Sequence, residues 1–148
     1  MASLAPHVSR VLKEASPHGF SVSTDAVVYV GSISATSSDN FLLGAEDSDI
    51  YIESITVLSE SDADAHATNI WTIDVQDKGA DGTGSTSLFA TPPNTVTNGI
   101  SALVPYTVSP DQNQLISDGQ GIAITFTKGA SASNLDELRV QVRYRRKA

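Results

Sequence analysis

Strict alternation of apolar and polar side chains near the end of the sequence constrains the fold more than any other feature. Between positions 137 and 145, the apolar or aromatic residues Leu138, Val140, Val142 and Tyr144 occupy every second position, and arginine or glutamine stands between them. Successive side chains of a β-strand point to opposite faces of its sheet. The period of two therefore predicts a strand with one buried face and one solvated face.

The same period recurs in two earlier stretches, and turns rich in Ser, Thr, Asp, Asn and Gly separate the stretches. About eight strands at this spacing predict an all-β fold, an antiparallel β-sandwich with a jelly-roll-like arrangement of its two sheets. An immunoglobulin-like sandwich is the alternative, although the Cys-Trp-Cys pattern of that fold is missing. The shared phase predicts one core that contains Trp71, Ile73, Val75, Ile122, Ile124, Phe126, Val140 and Val142.

Local patterns predict how the strands are arranged. Two consecutive strands, at positions 49–59 and 68–77, are expected to form a central pair. The apolar phase of the first changes between Ile52 and Ile55, which predicts a bulge. Residues 35–40 are polar and predict a loop. Residues 101–108 predict a strand with Val104 and Tyr106 in one phase, and Pro105 places that strand at a sheet edge or a bulge.

The length of 148 residues predicts one folded domain, at residues 21–148, preceded by an N-terminal arm at residues 1–20. Part of the arm has helical spacing, but Pro17 limits the helix to about two or three turns, which are marginal without docking. Two alternatives remain: the arm orders on a partner, or it stays disordered or lies along its own domain. The side chains expected to bind a partner are Leu4, Val8, Val11, Leu12 and Phe20.

Charge is distributed unevenly along the chain. The net charge is −13 over residues 1–138 and +5 over residues 139–148, which together give −8. An acidic body repels nucleic acid and anionic membranes, so neither is expected as a partner. Arg139 and Arg143 are interpreted as the solvated face of a strand. Arg145, Arg146 and Lys147 are candidates for binding an acidic partner or the acidic surface of another copy.

The residue types needed for catalysis or for metal binding do not occur in a suitable pattern. The chain has no cysteine, and its three histidines are His7, His18 and His66. Acidic residues at positions 60–64, followed by His66, offer ligands to a hard cation, but a solvated acidic loop is the favoured interpretation. The Gly-x-Ser-x-Gly nucleophile pattern and the phosphate-binding glycine patterns are absent. No catalytic, cofactor-binding or metal residues are therefore predicted, and the chain is not expected to be an enzyme.

Four stretches carry a resemblance to a known family. They read YIESITV at 51–57, WTIDV at 71–75, GQGIAITFTK at 119–128 and LRVQVRYR at 138–145, with a Ser/Thr/Gly-rich segment in the middle. In texture and strand order, the span from Ile50 to Tyr144 resembles the head-decoration, or capsid cement, proteins of tailed bacteriophages. The resemblance covers about two-thirds of the chain.

The resemblance implies a jelly-roll-like body, often trimeric, that is made in the host cytoplasm and sits on the outer surface of the capsid. It implies that the partners are the major capsid protein and further copies of the chain, with the body bridging and stabilising neighbouring capsid subunits. Two other classes stay open: a phage tail, collar or fibre subunit, and a carbohydrate-binding β-sandwich module. The exposed aromatics that a sugar site needs would be Tyr29, Tyr51 or Tyr106.

Overall fold

The computed structural model describes residues 23–41, 48–112 and 114–147, and this part of the chain is built from strands without a helix. The predicted arm therefore lies outside the described residues. The strands, in chain order, are β1 (Ser23–Ile33), β2 (Ser37–Phe41), β3 (Ile50–Leu58), β4 (Trp71–Gly79), β5 (Thr86–Ser87), β6 (Tyr106–Val108), β7 (Leu115–Ile116), β8 (Gly121–Lys128) and β9 (Leu135–Arg146).

The strands pair into two antiparallel sheets. Sheet A has the order β1-β9-β3-β6, and β7 also pairs with β3. Sheet B has the order β2-β8-β4-β5. Strand β9 lies between β1 and β3, with Val140 opposite Val28 on one side and Val57 on the other. The predicted all-β sandwich is confirmed, because apolar residues of both sheets share one core.

The core is the one that the alternation predicts. All eight of the predicted core residues are buried in a single cluster, as are Leu138 and Tyr144. Trp71 is fully buried, and its indole N–H donates a hydrogen bond of 2.8 Å to the carbonyl oxygen of Ser133. Burial of each large apolar side chain contributes roughly 1.5–3 kcal/mol. The inner faces of the two sheets therefore supply the main stabilisation of the fold.

The prediction of a central strand pair is wrong. Strands β3 and β4 do not pair, since β3 belongs to sheet A and β4 to sheet B. The twelve residues between them cross from one sheet to the other instead of forming a tight hairpin. Alternation identifies the buried face of each strand but does not identify its neighbour, and β3 and β4 pair most extensively with β9 and β8, which are distant in sequence. The bulge predicted in β3 is confirmed by a register shift between Ile52 and Ser54.

Two local predictions need correction. Edge strand β2 spans Ser37–Phe41 and so includes residues 37–40, whose polar composition predicts a loop. Backbone groups make the pairing with β8, so polar side chains do not prevent it at an edge. The strand predicted at residues 101–108 shortens to β6, and Val104 lies before it, exposed. The edge position that Pro105 predicts is confirmed, because β6 is the last strand of its sheet.

We predict that Val140→Asp abolishes cooperative folding. The side chain of Val140 is 0% exposed, so the substitution buries an unpaired carboxylate at the centre of sheet A. Thermal unfolding followed by circular dichroism measures the effect. Val27→Asp is the matched control, because Val27 is 52% exposed on the same sheet. The control should cost at most about 1 kcal/mol. An unchanged melting temperature in Val140→Asp would contradict the core assignment.

Candidate interaction surface

The basic side chains at the end of β9 have partners within the chain. Arg145 lies 3.3 Å from a carboxylate oxygen of Glu53, and its guanidinium stacks 4.4 Å from the ring centroid of Tyr51. A guanidinium nitrogen of Arg146 donates a hydrogen bond of 3.2 Å to the hydroxyl of Ser48. The pairing weakens the idea that these residues form a free basic patch, and their role in partner binding stays a prediction.

Lys147 and Arg143 are paired in the same way. Lys147 lies 3.4 Å from a carboxylate oxygen of Asp49, and Arg143 donates two hydrogen bonds, of 2.9 and 3.2 Å, to the carboxylate of Asp25. These hydrogen bonds from Arg143 lower the pKa of Asp25. The pKa of Asp49 is also lowered, chiefly by the backbone N–H of Asp118 and then by Lys147. The positive charge of the basic side chains at this end of sheet A is thus largely neutralised by carboxylates of the same chain.

Acidic side chains gather at the opposite end of sheet A. Strand β9 has 12 residues, so its two ends are roughly 36 Å apart. We define the acidic rim as the five carboxylate residues of two segments that meet there, the loop after β3 and the first residues of β9. The backbone N–H of Glu60 donates a hydrogen bond of 2.8 Å to the carbonyl oxygen of Asp136, which joins the two segments. The members of the acidic rim are Glu60, Asp62, Asp64, Asp136 and Glu137.

Polar groups of the loop at residues 60–66 serve the backbone of the fold. A carboxylate oxygen of Asp62 accepts a hydrogen bond of 2.7 Å from the backbone N–H of Ala102. The Nδ1 atom of His66 accepts hydrogen bonds from the backbone N–H groups of Thr68 and Asn69, at 3.1 and 2.9 Å. Within the described ranges, no group of three or more His, Cys, Asp or Glu side chains is arranged to hold a metal ion.

Sequence patterns did not indicate the exposed apolar turn beside the acidic rim. Leu103 is 67% exposed and Val104 is 54% exposed, and Leu103 has a backbone φ of 60°. Alternation assigns Val104 to the same buried face as Tyr106, but the strand begins only after Pro105. The one local signal is the run of apolar residues before that proline. Such a run is compatible with a buried strand and equally with an exposed turn.

The tyrosines considered for a sugar site lie apart and differ in exposure. Tyr29 is 60% exposed on β1, and its hydroxyl donates a hydrogen bond to the carboxylate of Glu137, which raises the pKa of the tyrosine. Tyr51 is half-buried beneath Arg145, and Tyr106 is half-buried against the core. These three rings do not form a shared aromatic platform. Among the described residues, no helix has the length and apolar character needed to cross a membrane.

Comparisons with known proteins give a likeness to solved structures but none to a family. The sequence matches no family model and no curated protein. Among solved structures, the chain is similar to one described as "Cyanophage Pam1 capsid asymmetric unit". The two are 21% identical, with a TM-score of 0.46 over 97% of this chain and 99% of that chain. At this identity and TM-score the likeness decides neither fold nor function.

We predict that Asp25 contributes stability that is lost in acid. Its pKa is lowered in the folded protein, so the contribution is fully present above the unfolded pKa of about 3.9 and disappears as pH falls through the lower folded value. Asp25→Asn should therefore narrow the difference in unfolding free energy between pH 7 and pH 3. The change should be at most about 1 kcal/mol, because both partners are partly exposed.

Urea unfolding at the two pH values measures that difference. Asp64→Asn, which changes an exposed loop carboxylate, is the matched control and should leave the difference as it is in the unmodified protein. An Asp25→Asn variant that keeps the whole difference would show that the ion pair with Arg143 does not stabilise the fold.

Proposed function

We propose that the chain is a structural virion protein without catalytic activity, and that it decorates the outer surface of a phage capsid. In this role the sandwich and its arm bridge neighbouring subunits of the major capsid protein and stabilise the shell. Major capsid protein and further copies of the chain are the partners, and the virion is the location. A tail, collar or fibre subunit is the alternative that the same kind of sandwich would also suit.

One observation carries the proposal. The four stretches that resemble capsid cement proteins coincide with β3, β4, β8 and β9, the strands at the centres of the two sheets. Strands β9 and β3 are central in sheet A, and β8 and β4 are central in sheet B. The resemblance thus involves mainly the central strands of both sheets, and outside them it rests on the Ser/Thr/Gly-rich middle segment and on the turn before β8.

The connectivity supports a jelly roll as the finer description of the fold. Strands β6 and β7 both pair with β3, and because β9 occupies its other edge, they share one edge and count as one interrupted strand. Eight strand positions then remain, in two sheets of four. Each of the first four strands lies in the opposite sheet from the strand before it, as expected when two Greek keys are wound into two facing sheets.

The arm has the chemistry of a docking segment. Ten extended residues span up to about 33 Å, which is enough to cross a junction between subunits. A segment that is too short to fold alone can order on a partner when burial of its apolar side chains offsets the loss of entropy. We therefore assign capsid docking to the arm, through Leu4, Val8, Val11, Leu12 and Phe20.

Deletion of residues 1–16 tests this assignment. The truncated protein should melt like the full chain, because both sheets begin after the deletion, but it should not bind or heat-protect capsids that lack the protein. Co-sedimentation with capsids and capsid melting are the measurements. Arg10→Gln with Lys13→Gln, which keeps the apolar side chains, is the control and should bind. If the truncated chain binds and protects as well as the full chain, the arm does not dock.

Electron microscopy of the particle tests the location itself. Density for the sandwich on the outer face of the capsid, at junctions between subunits, is the expected result. Density at the tail, collar or fibre would contradict the decoration role and would show that the chain is a tail, collar or fibre subunit.

We further predict that the protein forms a homotrimer. The prediction derives from the family resemblance, because the internal pairing of Arg143, Arg145 and Lys147 weakens the argument from opposite charges on neighbouring copies. Sedimentation equilibrium at micromolar concentration, without capsids, should give three times the mass of one chain, 15.5 kDa. A monomer mass throughout the concentration range would contradict an obligate trimer.

A further inference from the structure

The exposed turn at residues 101–104 presents apolar side chains where solvent would favour polar ones. Leu103 and Val104 follow each other, and both are more than half exposed. Single exposed apolar residues are common on protein surfaces, but two adjacent large ones at an exposed turn form an apolar patch of the kind found at contact sites. The core does not need these side chains, because neither belongs to its cluster of buried residues.

The turn is held firmly in this conformation. The backbone N–H of Leu103 donates a hydrogen bond of 2.8 Å to the carbonyl oxygen of Ser59, and that of Val104 donates one of 3.1 Å to the carbonyl oxygen of Ser101. The hydrogen bond from Ala102 to Asp62 fixes the other side of the turn. A leucine at a φ of 60° is strained, whereas glycine adopts this conformation without a steric cost. Turn geometry therefore disfavours the leucine that stands there.

The turn lies against the acidic rim. Ser59, which accepts the hydrogen bond from Leu103, precedes Glu60, and the hydroxyl of Ser59 donates a hydrogen bond of 3.1 Å to the carbonyl oxygen of Asp136. Glu137, the residue after Asp136, has a backbone φ of 49°. The two non-glycine residues with positive φ in the described part of the chain thus lie at the same end of sheet A. Backbone strain of this kind concentrates at functional sites.

We propose that the 101–104 turn is a contact site for a capsid subunit. Leu103 and Val104 insert into an apolar pocket of that subunit, and Lys or Arg side chains around the pocket face the acidic rim. The inference rests on the proposed function and adds a second contact to the one assigned to the arm. Interfaces are commonly organised in this way, with apolar anchors at the centre and complementary charges around them.

Charge decides between a capsid subunit and a second copy of the chain. A partner that faces five carboxylate residues must supply cations of its own. Arg143, Arg145 and Lys147 of this chain are each paired with a carboxylate of the same chain, so a second copy would have to break ion pairs to supply them. Lys78 and Arg139 form no ion pair with the described residues, but they lie on strands of different sheets and are two cations against five carboxylates. A different protein with a basic surface has no such cost, which favours a capsid subunit as the occupant.

Substitution of Leu103 separates binding from stability. In Leu103→Gly, the apolar side chain and the strain are both removed, so the melting temperature should stay the same or rise. In Leu103→Asn, the leucine is replaced by a polar residue that tolerates a positive φ. Both variants should bind capsids that lack the protein at least tenfold more weakly than the unmodified chain. Val27→Ser, at an exposed apolar position on β1 across the sheet, is the matched control and should bind normally.

Substitution of the acidic rim tests the charge of the pocket. Glu60→Gln should weaken binding at low salt and reduce its dependence on salt concentration, because one complementary charge is lost. Asp118→Asn, at the opposite end of the sandwich, makes the same chemical change and should leave binding and its salt dependence as they are. Equal effects of the two variants would mean that net charge, and not the acidic rim, acts on binding.

The outcomes distinguish this inference from the proposed function. If the unmodified chain does not bind the capsids, the decoration role fails. If the unmodified chain binds and both Leu103 variants bind equally well, the role stands and the turn is not the contact site. If both variants form trimers poorly while still binding capsids, the turn is a contact between copies and the assignment to a capsid subunit is wrong.

Discussion

The position of β9 in the middle of sheet A is the constraint on which the rest of the structure depends. Its backbone pairs with β1 between Leu135 and Arg145 and with β3 between Arg139 and Arg146, so both edges of most of the strand are hydrogen-bonded within the sheet. Its inward side chains supply the centre of the core. Its outward arginines at positions 143 and 145 form ion pairs with two neighbouring carboxylates, those of Asp25 and Glu53. Removal of this strand would leave β1 without a partner and expose one face of sheet B.

The sequence predicts burial well because alternation is a local property. Each of the predicted core residues, from Trp71 to Val142, is buried, since the period of two determines the face of the sheet from the residue alone. Pairing is not local. Strand β3 takes β9 as a neighbour about 85 positions away, and nothing within β3 or β4 indicates that they belong to different sheets. Residues 37–40 show a similar limit of local patterns: their polar composition predicts a loop, but their backbone groups pair with β8 at the edge of sheet B.

The candidate surface was predicted less well than the fold, for a different reason. Basic residues at the end of the sequence look free when they are read along the chain, but the antiparallel register places Asp25 beside Arg143. The fold thereby pairs charges that look free along the sequence, while the role of Arg145, Arg146 and Lys147 in partner binding stays a prediction. At the other end, the loop after β3 and the start of β9, which are distant in sequence, bring carboxylates together beside Leu103. This contact depends on which strands are neighbours in the sheet, and the period of two carries no information about neighbours.

The order of the strands along the chain also governs when the fold can form. Strand β9 comes after every other described strand, yet it lies between β1 and β3, whose pairing with it spans most of the described chain. Sheet A therefore cannot close while β9 is still inside the ribosome, and contacts between residues so far apart make folding slow. Until then β1 and β3 present unpaired edges to other nascent chains. The chain thus meets its greatest hazard of aggregation during synthesis, before β9 can cover these edges.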